Sequence, residues 1–274
     1  MTILVAGGDS FVWGSELSDY SDVHGSKLTF PALLAKNNNL EYLNVSHPGN
    51  SNPGISRMTM TQCCELKKQN KDFVVLVSWT FDARYEFRFN YDTEQRISPW
   101  YSINSWTQEH NSDNLIDEFN TTDEEYLETL TSNIKRANKT GVAEFARCFY
   151  KHVGNSEYYE IYSTLKEIVF MQNYLKVHNV PYLFTTADWQ QENYDRRKDT
   201  ILISLFDQID WNCWYLFPPG DSNDGSQTNK PRGFYQWAVE NKYKIGASHP
   251  LEDAHHDASL LLQEKFNELV KKSI

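Results

Sequence analysis

Apolar positions along this chain follow two rhythms. Short runs of aliphatic and β-branched residues alternate with stretches where apolar side chains return every three to four positions, the pattern of a parallel sheet with crossover helices. Thr2 to Ala6 reads as the first strand and Tyr42 to Val45 as the second. "KDFVVLVS" (71–78) is a continuous Val/Leu run suited to burial on both faces. "PYLFTT" (181–186) opens on a strand-edge proline, and Trp211 to Phe217 reads as a fifth strand. Helices are predicted over Thr29–Asn37, Ile55–Gln69, Ser156–His178, Asp199–Gln208, Gly233–Asn241 and Leu251–Lys272. The longest carries Ile161, Leu165, Ile168, Val169 and Leu175 at near-helical spacing.

One region breaks the alternation. Residues 82 to about 145 are polar, aromatic and acidic and show no strand pattern, with a helix of their own expected around Thr122 to Asn138. A segment that long between a strand and a helix is usually functional or mobile. It reads as an insertion above the carboxyl ends of the strands, and the loop 218–233 belongs on the same side. With no internal repeat and no dividing linker, residues 1–274 are expected to form one domain of α/β class, with insertion 82–145 over the site.

Composition narrows the partners. The net charge of −11 argues against nucleic acid or an anionic membrane as the main partner. No apolar run reaches the length of a membrane span and no signal peptide is visible, so a cytoplasmic location is expected. Four cysteines without C-x-x-C spacing suit reduced thiols. Aromatic residues make up 14% and crowd 79–106 and 149–162; a core accounts for many of them, and a cleft for a flat or sugar-like ligand would also use them.

The chemistry begins at "LVAGGDSFVWGSEL" (4–17), where the first strand delivers Ser10 to a turn after two glycines and Asp9. A serine there is either a helix cap or a nucleophile awaiting a base. Two further blocks follow in order: "NVSHPGNSN" after the second strand and "SHPLEDAHH" before the final helix. Together they resemble the SGNH (GDSL-type) hydrolase superfamily, and most of all the SGNH-like proteins of tailed bacteriophages. The resemblance spans nearly the whole chain, with its specific motifs at the two ends. It implies a flavodoxin-like, three-layer α/β/α fold with a five-stranded parallel sheet, and esterase or deacetylase chemistry without a cofactor.

Carried over by position, the resemblance makes Ser10 the nucleophile and His249 the general base. The Ser10 and Gly49 N–H groups become oxyanion donors. The family's Gly-x-Asn-Asp block is "SWTF" (78–81) here, so Thr80 stands where an asparagine donor is expected. The acid three residues before the histidine is replaced by Gly246. Asp221, Asp224 and Asp253 are the candidates to supply a carboxylate from elsewhere.

The remaining polar and aromatic residues near these blocks have two readings each. Asp9, Asn50, Trp79, Arg84 and His255 are candidate substrate contacts. Arg84 is equally suited to an ion pair with Glu86 or Asp82, and His255 is an alternative base. Trp13, Trp79 and Trp106 would form a stacking wall, although Trp13 and Trp79 equally suit a core. His255, His256 and Asp257 do not converge as metal ligands, since adjacent helical residues point apart. "DSNDG" (221–225) misses the EF-hand spacing, and "GDSFVWGS" lacks a P-loop lysine. The expected substrate is a small acyl ester, such as an O-acetyl group on a carbohydrate. The alternative is a catalytically weakened SGNH-fold binding protein or phage accessory or virion component, and an oligomer is compatible with either.

Overall fold

The computed structural model describes residues 1–89, 100–105, 107, 140–189, 199–220 and 230–271. Its centre is a parallel sheet of four strands among these residues: β1 (Ile3–Gly7), β2 (Glu41–Asn44), β3 (Phe73–Trp79) and β6 (Tyr182–Thr186), in the order β2-β1-β3-β6. Ile3 pairs with Phe73 and Val75 with Tyr182, so the registers run unbroken across the middle. Every residue of β1, β3 and β6 is buried, which is why their sequences are continuous apolar runs without alternation.

Alternation still decides which face each side chain serves. Ile3, Val5, Val75 and Val77 pack with helices α3 (Asn52–Lys68), α5 (Glu157–Val177) and α6 (Thr200–Asp207). Leu4, Ala6, Val74 and Leu76 pack on the other face with α2 (Phe30–Asn37), α7 (Phe234–Glu240) and α8 (Glu252–Lys271). Helices therefore cover both sides of the sheet. Their starts are written locally: Ser51 caps α3 ahead of Pro53, Ser156 caps α5 and Asp199 caps α6. No helix among the described residues is long and apolar enough to cross a membrane.

Two expectations differ from the structure. Residues 211–217 form no strand; Trp211–Cys213 is a 3₁₀ turn, followed by a single parallel bridge between Trp214 and Phe184. The indoles of Trp211 and Trp214 pack at 5.3 Å, alongside Trp189. Residues i and i+3 eclipse in a 3₁₀ turn but point to opposite faces of a strand, so burying both indoles together selects the turn.

The inserted region does contain strands. β4 (Tyr85–Arg88) and β5 (Trp100–Ile103) form an antiparallel pair with Tyr85 opposite Ile103. With α4 (Val142–Phe149) they build a separate aromatic cluster around Tyr85, Phe149 and Tyr150. Arg57 of α3 ties the pair down, reaching both oxygens of Glu86 at 2.7 Å and lying over the Trp100 ring. The helix expected around Thr122–Asn138 lies outside the described residues.

The topology fixes where a ligand would sit. The chain leaves β1 toward α2 on one face and, after β3, reaches α5 on the other. The carboxyl ends of β1 and β3 thus flank the point where the winding reverses, the position at which open α/β sheets bind ligands. Asp9 and Ser10 follow β1 there, and Thr80 and Arg84 follow β3.

Candidate active site

Past β1 the chain makes a single helical turn, α1 (Ser10–Trp13). Asp9 caps it by accepting the Phe11 N–H, and Gly14 ends it in the left-handed region at φ 81°. Ser10 is 8% exposed at the start of that turn.

His249 arrives from the opposite end of the chain. Ile245 and Pro250 form an antiparallel bridge, and the Gly246 N–H donates to the His249 carbonyl at 2.8 Å. This closes a tight loop immediately before α8. The ring rests against Phe11 at 5.0 Å between centroids. His249 Nε2 lies 2.7 Å from Ser10 Oγ, within hydrogen-bond reach.

Behind the ring stands a residue that the motifs do not indicate. Glu16 Oε1 is 2.6 Å from His249 Nδ1. Glu16 also accepts from the Ser248 N–H and hydroxyl. Its backbone lies at φ 70°, a left-handed conformation that costs a non-glycine residue roughly 1–2 kcal/mol. The turn is clamped from its other end too, since the Ser18 N–H donates to Glu252 Oε1 at 2.8 Å.

Burial by itself would raise the Glu16 pKa. The hydrogen bond and charge of His249, together with the Ser248 donors, outweigh it and hold the carboxyl at about 2. An ionised carboxylate only accepts hydrogen bonds, so the neutral imidazole carries its proton on Nδ1. That leaves the Nε2 lone pair facing the Ser10 hydroxyl.

The loop after β2 supplies Gly49. The Asn50 N–H bonds back to the His47 carbonyl at 3.1 Å, with Pro48 and Gly49 between them and Gly49 at φ 71°. Proline followed by a glycine at positive φ is the sequence of a type II turn. A Cβ built on Gly49 would meet nothing within 4 Å, so this backbone faces open space. Among the described residues, neither the Ser10 nor the Gly49 N–H donates to a protein acceptor.

A buried polar network joins the three loops. Asp9 is fully buried, and its second oxygen accepts from Thr80 Oγ1 at 2.5 Å and Arg84 Nη1 at 3.2 Å. Arg84 Nη1 also reaches the Asn50 carbonyl and Thr80 Oγ1. Asn52 pairs with the Thr80 backbone, accepting its N–H at 2.8 Å and donating to its carbonyl.

These contacts revise several expectations. The Thr80 hydroxyl gives its proton to Asp9, so it is not the donor an asparagine would be. Arg84 pairs with Asp9 instead of Glu86 or Asp82, while Glu86 is taken by Arg57. The Asn50 side chain bonds the Gly8 carbonyl and the Ser51 N–H. Trp79 is 1% exposed and packs on Phe184. His255 is a core residue: it stacks on Phe30 and accepts the Phe30 N–H at Nδ1. Asp253 is exposed on α8, and Nδ1 of His249 is occupied by Glu16. Asp221, Asp224 and Trp106 lie outside the described residues.

Only a faint signal in the sequence marks Glu16. It is an acid six residues beyond the serine, in a chain whose position 246 has no side chain. A search against protein-family models and one among curated proteins both find no match.

Proposed function

We propose that this chain is a serine hydrolase of carboxylic esters. The reading rests on one arrangement: Ser10 Oγ, the His249 ring and the Glu16 carboxylate in an unbroken hydrogen-bonded series of 2.7 and 2.6 Å. Three side chains from two distant parts of the sequence converge there. The order of motifs supports an SGNH-type assignment, as does a parallel sheet in which Trp214 bridges β6 where a fifth strand would lie.

Ser10 Oγ attacks the ester carbonyl carbon as its proton passes to His249 Nε2. Glu16 orients the ring and offsets the charge of the imidazolium. The developing oxyanion is met by the Ser10 and Gly49 N–H groups. The alkoxide leaves with the proton from Nε2, giving an acyl-serine. Water then attacks the acyl carbon, losing its proton to His249, and a carboxylic acid is released as Ser10 recovers its hydrogen. A small acyl ester, such as an O-acetyl group on a carbohydrate, is the substrate class this reading favours.

Incubation with a fluorescent fluorophosphonate tests the proposal. Labelling of the wild-type protein that disappears in Ser10→Ala, with matching loss of short-chain aryl-ester hydrolysis, is the expected result. A folded wild-type protein that takes up no label and cleaves no ester overturns it, leaving the reading of a binding or virion protein on the same scaffold.

A further inference from the structure

We propose that Arg84 is a third oxyanion donor, doing the work for which Thr80 is unavailable; the inference rests on the hydrolase reading above. A nucleophile turn of this kind offers two backbone N–H groups, and a side-chain donor from the end of β3 would complete the set. Thr80 stands at that point, but its proton is committed to Asp9 at 2.5 Å. The next donor along the chain is Arg84.

Among the described residues, the hydrogen bonds of Arg84 all run through one nitrogen. Nη1 faces three acceptors: Asp9 Oδ2 and the Asn50 carbonyl at 3.2 Å each, and Thr80 Oγ1 at 3.0 Å. Those acceptors belong to the residue before Ser10, the residue after Gly49 and the end of β3. Nη1 is therefore bonded to the residues that precede Ser10 and follow Gly49 in the sequence. Its plane lies over Phe81, 4.8 Å from the ring centroid. The hydrogens of Nε and Nη2 have no protein acceptor among the described residues, although the side chain is only 13% exposed. Largely buried donors without partners are costly to hold in reserve.

A developing oxyanion satisfies these donors. Arginine presents its five hydrogens in a rigid fork, so anchoring Nη1 to three loops also fixes where Nη2 points. Lysine at this position keeps the charge and can pair with Asp9, but it has no second arm. That difference separates a catalytic role from a structural one.

The test compares wild type, Arg84→Lys and Arg84→Ala on a short-chain aryl ester. Arg84→Lys should retain the wild-type melting temperature and KM while kcat falls by about 10²–10³, the usual effect of losing one oxyanion donor. Added guanidinium chloride should restore part of the lost kcat in Arg84→Ala and none in Arg84→Lys. A folded Arg84→Lys with kcat within a few-fold of wild type overturns the inference, as does a change confined to KM. The underlying reading is checked separately, by Ser10 labelling of wild type: active wild type with an unimpaired Arg84→Lys refutes the role of Arg84 alone. Should Arg84→Ala not fold, the lysine variant decides.

Discussion

The carboxylate of Glu16 occupies the space that a side chain at Gly246 would fill. A Cβ built on Gly246 falls well inside contact distance of Glu16 Oε2, and no other atom is as close. Position 246 is three residues before His249, where the resemblance to SGNH hydrolases expects the acid. Glu16 is the carboxylate that reaches the His249 ring, and the lack of a side chain at Gly246 leaves room for it. Gly246 has no need of positive φ. Its requirement is steric.

Exchanging the two positions should move the acid back. Glu16→Gln is expected to fold normally and lose up to about 10⁴ in kcat, because the imidazole loses its orienting anion. Gly246→Ala should also lower kcat, since its methyl group displaces the carboxylate without straining the backbone. Adding Gly246→Asp to Glu16→Ala should recover part of the kcat lost by Glu16→Ala alone. Steady-state kinetics beside circular dichroism check all three. Full activity in Glu16→Gln would remove Glu16 from the mechanism.

The same pair shows where sequence reading stops. The meeting of Ser10 and His249 follows the expectation carried by the order of the "GGDS" and "SHPLEDAHH" blocks and the resemblance they support. The buried strands β1 and β3 and the long helix α5 are equally legible, from continuous apolar runs and from helical periodicity. Glu16 is not. Its reach depends on a left-handed backbone at a residue that rarely adopts one, and on contact across 233 positions of sequence. Thr80 was expected to serve the site, and only the placement of Asp9 beneath it shows where its proton goes. "WNCW" and "YEFR" exchanged roles for a related reason. Aromatic content suggested a strand at 211–217, but shared packing of Trp211 and Trp214 imposed a turn, while the clean alternation of 85–88 lay hidden in a polar, acidic stretch.

Asp9 should prove a stability determinant before it is anything else. Asp9→Asn retains the oxygen that caps Phe11 but removes the counter-charge of a largely buried guanidinium. Breaking one side of a buried pair costs about 3–5 kcal/mol. A clear drop in the urea midpoint is therefore expected. The double variant Asp9→Asn with Arg84→Met, which leaves no charge behind, should regain much of it. A double-mutant cycle measures the coupling. Additive losses would mean that the pair contributes nothing as a pair.

His255 gives the fold a pH dependence of its own. Its ring is buried between Phe30 and Phe234 and accepts the Phe30 N–H, so it is neutral. Burial first, and then repulsion from His249, lower its pKa to about 3, with Glu252 opposing. The unfolded imidazole takes a proton as pH falls through about 6.5; the folded one resists until about 3. Its contribution is complete above pH 6.5 and drains away as pH falls through that window, by roughly 1.4 kcal/mol per unit. Glu16, held at about 2, adds a loss of the same sign only below its unfolded value near 4.5. Between pH 6.5 and 4.5 the loss contributed by His255 amounts to about 2–3 kcal/mol. His255→Gln keeps an acceptor for the Phe30 N–H and removes the titration. Urea unfolding of the two proteins at pH 7 and pH 5 should show a marked fall in wild type and a flatter response in the variant; parallel falls would place the acid sensitivity elsewhere.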